Sequence, residues 1–342
     1  VTPAQQVAWF QKDGYLVFAN SVDVLEDILL RWSGENSEVL AEKEDFKYIR
    51  ERCRPENSDP VAYWYFEPLL AIRTGLETQG ATQQAMFQAF LPRLGLDKLI
   101  SIGGSFDLAT ERYEQVSQTV IYLESPRVGL LKMFQANEIA ISPPGWVSSD
   151  CETFQIYHWE LGEAFNAARS LADSFQPGSF DRILDQLADH PGAQGLHPKN
   201  DLIDLLEGTI AVEATPPDKE GEVETPRTLF AASLKNGDRM AAVLAKLQQI
   251  EGSTLEVRNF QGVPIYSLEV SELVNFHLVV SQNTLFAANS ASRIEQLLRG
   301  DDERNQLKDR PEFKRLIEEA PETAGLWGVE LMGTQLELSL IH

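Results

Sequence analysis

The chain has 342 residues, 43% of them hydrophobic, which is long for one core and comfortable for two. Acidic residues outnumber basic ones by 52 to 29, for a net charge of −23. Such a surface repels nucleic-acid phosphates and anionic lipid headgroups, since both are bound largely through Lys and Arg. No apolar run approaches the ~18 residues of a membrane helix. The excess of acid reads as a solvating surface, or as a docking face for a basic partner or divalent cations.

Taken in order, "YLVFA" (Tyr15 to Ala19) is β-prone and apolar, a buried strand. Asp23 stands three residues before Glu26, the spacing of a capping box, and Leu25, Ile28 and Leu29 follow on one helical face. Phe46 and Ile49 mark a second helix, and "AYWYFE" a further strand. "KLISIGGSFDLA" and "EQVSQTVIYLES" read as adjacent long strands, with the two glycines of the first marking a bulge or close backbone packing. "TFQIYHWE" is another strand, ahead of an amphipathic helix from Leu161 to Phe175 and shorter helices over Asp181 to Ala188 and Asp201 to Glu207. The Gly/Pro-rich "DHPGAQGLHPKN" reads as a boundary loop, and the domain boundary is expected near Gly195.

Beyond it, "GTIAVEA" and "TLFAASL" should pair around an acidic loop from Pro216 to Pro226. A helix is expected over Arg239 to Ile250, with Met240, Val243, Leu244 and Leu247 on one side. Two hairpins follow, turning near Gln261-Gly262 and at Gln282-Asn283. "GDDERNQLKDR" lacks the glycine and glutamate of a calcium loop and reads as a solvated linker. The fold class is α+β, antiparallel sheets with helices packed on one face.

One pattern cuts across this order. Leu16, Ala19, Asn20 and Ser21 align with Leu285, Ala288, Asn289 and Ser290. Glu26, Leu29, Leu40, Phe46, Lys47, Trp64 and Glu67 then align with Glu295, Leu298, Leu307, Phe313, Lys314, Trp327 and Glu330. Residues 13–66 and 282–329 therefore read as a duplicated strand–helix–helix–strand unit. Two α+β modules are expected, 1–195 and 196–342, the first lacking its upstream part. The chain opens on Val1, so it reads as a trimmed piece whose targeting segment is gone.

"GYLVFANS" before an amphipathic helix, the second helix with Phe46-Lys47, "DLIDLLEGTIAVEA" and "NFQGVPIYSLEV" together carry a resemblance. The chain resembles a domain-of-unknown-function family of bacterial cell-envelope proteins with no assigned activity. The resemblance implies a duplicated α+β module outside the cytoplasm, in the periplasm or cell envelope, anchored through an N-terminal segment. It transfers no catalytic residues. The missing upstream half of the first module departs from the family pattern.

Chemistry-bearing motifs are sparse. "SIGGSF" is no phosphate loop, and no nucleophile elbow, H-E-x-x-H or paired C-x-x-C occurs. Catalytic residues stay unassigned and no cofactor is expected. His158 and Glu160 share a strand face and could form an acid/base pair, but they read as an exposed strand end. His190 and His197, with Asp201 and Asp204 near by, offer imidazole and carboxylate to a divalent metal, without the i, i+4 spacing of a tight site. His190, His197 and Asp201 are the metal candidates. Asn20 and Asn289 read as strand ends that shape a helix entry. Cys53 and Cys151 read as two separate thiols. The leading expectation is a non-catalytic extracytoplasmic binding or scaffold protein with a protein partner in the envelope. The alternatives are a carrier of an apolar ligand or lipid, then a metal-assisted hydrolase.

Overall fold

The computed structural model describes the chain outside residues 1–6, 36–38, 55–59, 78–80, 109–114, 191–192, 194, 218–224, 251–252, 272–273, 302–304, 319, 333–334 and 342. The expected acidic loop at 218–224 lies outside the described residues. The chain divides into two compact units, Val1–Arg127 and Val128–His342. The boundary thus falls at residue 127, not near Gly195.

Unit 1 opens with strands β1 (Ala8–Lys12) and β2 (Tyr15–Ala19) joined at Asp13-Gly14, both with positive φ. That is the backbone a two-residue type I′ hairpin needs. Helix α1 (Val22–Ser33) is capped by Ser21, whose hydroxyl accepts from the Asp23 amide, and ends at a left-handed Gly34. The cap is therefore two residues earlier than the Asp23–Glu26 spacing predicts. A 3-10 turn at Leu40–Glu42 leads into α2 (Glu44–Arg52), then β3 (Ala62–Phe66). Helices α3 (Pro68–Glu77) and α4 (Ala81–Leu94) precede β4 (Leu99–Leu108) and β5 (Gln115–Leu123). Strands β3, β4 and β5 form one antiparallel sheet, and β1 with β2 a second.

The two glycines of β4 explain themselves. A Cβ on Gly103 would lie 2.8 Å from the Ile49 side chain, and one on Gly104 2.7 Å from the Trp64 ring. Close packing is the reason for both. Ile49 and Cys53 of the α2 segment are buried, whereas Trp64, Phe66 and Ile121 stay exposed. Alternation along the paired strands puts those three on the sheet face opposite α2.

Unit 2 contains α5 (Gly129–Met133), short strands β6 (Ala136–Asn137) and β7 (Ile139–Ala140), β8 (Thr153–Trp159), α6 (Leu161–Phe175) and α7 (Ser179–Asp189). A five-residue π turn at Pro198–Leu202 and a 3-10 turn at Ile203–Leu205 replace the short helix expected over Asp201 to Glu207. Then come β9 (Leu206–Thr215), β10 (Arg227–Leu234), α8 (Gly237–Gln248), β11 (Leu255–Phe260), β12 (Val263–Ser271), β13 (Val274–Ser281) and β14 (Thr284–Ala288). Helix α9 (Ala291–Arg299) ends at a left-handed Gly300, and α10 (Pro311–Ile317) leads to β15 (Thr323–Ala324), β16 (Leu326–Met332) and β17 (Gln335–Ile341).

One antiparallel sheet runs β11-β12-β13-β14-β10-β9-β8-β16-β17, with β6 added to the end of β8. Strand β8 lies before Gly195 in sequence yet sits between β9 and β16. The Gly/Pro loop therefore cannot separate domains: the sheet spans it.

Phe154, Ala231, Val279, Phe286 and Trp327 line one face of this sheet, together with Ile294 of α9 and Phe313 of α10. Leu234, Val280 and Leu285 meet Met240 and Val243 of α8. Neighbours on a strand point to opposite faces, so Val279 with Val280, and Leu285 with Phe286, set these two clusters on opposite sides. The α+β antiparallel architecture is as expected, with its helices shared between the two faces. The "GDDERNQLKDR" stretch is less solvated than its charges imply. Gln306 bridges Ser148, and Leu307 is fully buried.

His277 on β13 gives one pH-dependent term. Burial, then the nearby Arg258 charge, holds its imidazole below the ordinary 6.5, and its Nδ1 lies 2.9 Å from the Ser267 hydroxyl. Below about pH 6.5 the unfolded chain takes up a proton that the folded one resists. Stability is then full above that pH and falls as the pH drops toward the lowered value. Denaturant titrations of wild type and His277→Gln across pH 7.5 to 5 should show a shallower decline in the variant.

Candidate functional site

The sequence places its metal and acid/base candidates around α6, α7 and the π turn of unit 2. The structure puts a cleft of about 330 Å³ there, lined by Arg169, Asp181, Leu184, Asp185, His197, Lys199 and Asn200. Several of its polar groups pair locally. His197 caps the π turn: its Nδ1 accepts from the amides of Lys199 at 3.2 Å and Asn200 at 3.4 Å. Its Nε2 stands 3.7 Å from an Asp185 carboxylate oxygen. Asp201 accepts from the His197 amide at 2.8 Å and lies 3.8 Å from Arg239. Arg169 pairs with Asp181, and Lys199 with Asp204. Both cations also lie over the Phe165 ring, at 5.6 and 5.5 Å.

His190 is exposed at the end of α7. Among the described residues, no group of three or more His, Cys, Asp or Glu is placed to hold a metal ion. The candidates His190, His197 and Asp201 are therefore not gathered into a ligand set. Among the described residues, no hydroxyl or thiol lines the cleft beside the His197–Asp185 pair. His158 and Glu160 also part company. His158 meets the Thr209 hydroxyl at 3.0 Å, whereas Glu160 accepts from Asn137. Cys53 and Cys151 are free, buried thiols. Burial, and then the Glu213 charge, pushes the Cys151 thiol far above its ordinary range, where the reactive thiolate is scarce.

Two features escape local sequence reading. The first is a buried ion pair: Arg293 of α9 and Glu213 of β9 are both fully buried, 2.5 Å apart. Arg293 also donates to the Trp146 carbonyl at 3.1 Å, and Glu213 accepts from the Ser148 amide at 2.7 Å. The pair latches the loop after β7 onto the sheet. Its only signal is an arginine beside Ile294, where the helical stripe calls for apolar residues.

The second is the open surface of unit 1. Among the described residues β2 pairs with β1 alone. Leu16 and Phe18 are 54% and 60% exposed, and Trp9 and Tyr15 are exposed with them. Trp32 stacks edge-on against Phe10 and Tyr15, and its indole N–H donates to Asp13 at 3.1 Å. With Trp64 and Phe66 of β3 also exposed, unit 1 presents aromatic side chains of the sort that dominate binding surfaces. Scattered apolar exposure is ordinary, but a strand with one unpaired edge and exposed aromatics is a ready template for pairing.

No helix among the described residues is long and apolar enough to cross a membrane. Comparison with known proteins finds no matching family model, no matching curated protein and no matching solved structure.

Proposed function

We propose that this protein is a non-catalytic binding or scaffold protein whose contact surface is the open, aromatic side of unit 1. One observation carries the reading: among the described residues β2 has a single strand neighbour, and it exposes Leu16 and Phe18. The hydrogen bonds of His197 and Asp201 support the non-catalytic part, because both residues hold the π turn. The partner is a protein. The net charge of −23 disfavours nucleic acid and anionic lipid. A location outside the cytoplasm, in the periplasm or cell envelope, rests on the family resemblance alone, as does membership of that family.

The test is site-specific photo-crosslinking in cells of the source organism, with the photoreactive residue at Phe18 and, as a control, at Glu256 on β11. A discrete adduct from position 18 and none from position 256 is the expected result. Equal patterns from both positions would sink the reading.

A further inference from the structure

The chain holds a picture of what lies against β2. Residues 282–329 run through turn, strand, helix, 3-10 turn, helix and strand, as residues 13–66 do, with the two-residue β15 added before the last strand. Both hairpins turn on two residues of positive φ, Asp13-Gly14 and Gln282-Asn283. Ser21 and Ser290 stand at the N-caps, and Gly34 and Gly300 at the left-handed C-caps. The alternation of burial matches too, offset by one step. Val17 and Ala19 are half-buried where Phe286 and Ala288 are buried, and Leu16 and Phe18 are exposed where Leu285 and Ala287 are half-buried. The offset has a cause. Strand β14 is flanked by β13 and β10, and β2, among the described residues, only by β1.

Asn289 supplies a second, separate observation. Its side chain ties β14 to the start of β10, accepting from the Thr228 amide at 2.8 Å and donating to the Pro226 carbonyl at 3.0 Å. Asn20 occupies the same place after β2, is exposed, and makes no side-chain hydrogen bond among the described residues. In a two-residue hairpin the amides of Leu16 and Phe18 point away from β1.

We infer that the outer edge of β2 takes up an antiparallel strand of the β10 type, stitched to it by Asn20 as Asn289 stitches β10. The inference rests on the reading of unit 1 as a binding surface and names its occupant: a half-module built like β8–β9–β10. In unit 2 β10, β9 and β8 connect β14 to β16 within one sheet, whereas β1–β2 and β3–β4–β5 of unit 1 are separate sheets. The occupant is not a second copy of this chain. Its own β8, β9 and β10 already have strands on both sides.

The probe is a synthetic peptide with the sequence of Pro226–Leu234, added to the full 342-residue chain and followed by amide hydrogen exchange. Protection of Leu16 and Phe18 is expected, with Asn20→Ala weakening peptide binding about tenfold through two lost hydrogen bonds. A peptide with proline in place of its residues 230 and 232 should protect neither amide, since it cannot donate to the edge. Unprotected Leu16 and Phe18 at saturating peptide would overturn the inference. If position 18 still crosslinks to a partner in that case, the binding reading survives and only the strand occupant fails. Protection without peptide that grows with protein concentration would identify a second copy instead, and equal protection of β11 or β17 would show unselective edge pairing. Either result overturns the proposal.

Discussion

Arg293→Leu lowers the unfolding free energy by about 3–5 kcal/mol, the usual cost of leaving one buried charge without its partner. Arg293 and Glu213 are both at 0% side-chain exposure, so no water replaces the guanidinium at the carboxylate. The variant also frees the Trp146 carbonyl, which Arg293 holds at 3.1 Å. Glu213 meanwhile keeps the Ser148 amide, so the loop after β7 is loosened and not released. Denaturant unfolding of Arg293→Leu, Glu213→Leu and the double variant makes the check. Each single change should cost several kcal/mol, and the double should recover much of it, because the orphaned charge is gone. Additive losses would mean the two residues act independently.

Trp327→Ala should cost about 3–5 kcal/mol, in the range for large aromatics lost from a packed core. Trp327 is fully buried on β16, with Phe154 at 5.2 Å and Phe313 at 6.2 Å between ring centroids. Its indole N–H donates to the Ala140 carbonyl at 3.0 Å, so truncation opens a cavity and strands an acceptor. Trp64→Ala in unit 1 should cost far less, because that ring is 43% exposed. The same pair of substitutions tests the repeat. Its alignment matches Trp64 with Trp327, yet Phe46 of α2 meets Tyr65 at 5.4 Å, whereas Phe313 of α10 meets Trp327. The ring beside Phe46 thus belongs to the neighbour of Trp64, which points to the opposite face of its strand.

Much of the fold was legible because period and turn chemistry act locally. The helix at Leu161–Phe175 and the hairpins at Gln261-Gly262 and Gln282-Asn283 lie where their patterns put them. Helix α4 went unread although Met86, Phe87, Phe90 and Leu91 fall on one face, since Pro92 interrupts its last turn and argues against a helix there. The domain boundary was misplaced because Gly and Pro mark loops, not the partner a strand will choose. Nothing in "TFQIYHWE" announces that it pairs with residues 326–330. The candidate histidines were visible by type, but their hydrogen-bond partners follow from a π turn that no sequence spacing reveals. Asn289 was readable as a strand end, and its reach across to Thr228 needed the sheet.

The place of β8 between β9 and β16 governs when unit 2 becomes a folded object. Strand β16 leaves the ribosome roughly 170 residues after β8, about ten to thirty seconds at ordinary synthesis rates. Through that interval the edge of β8 that will receive β16 is unpaired, with Phe154 and Ile156 awaiting Val329 and Trp327. Pairing over such a sequence distance is slow and exposed to aggregation, since a long loop must close before any contact rewards it. The last strands in the sequence are thus the closing step of assembly. Chains interrupted before Leu326 would carry a sticky, half-built sheet, and quality control would meet them first.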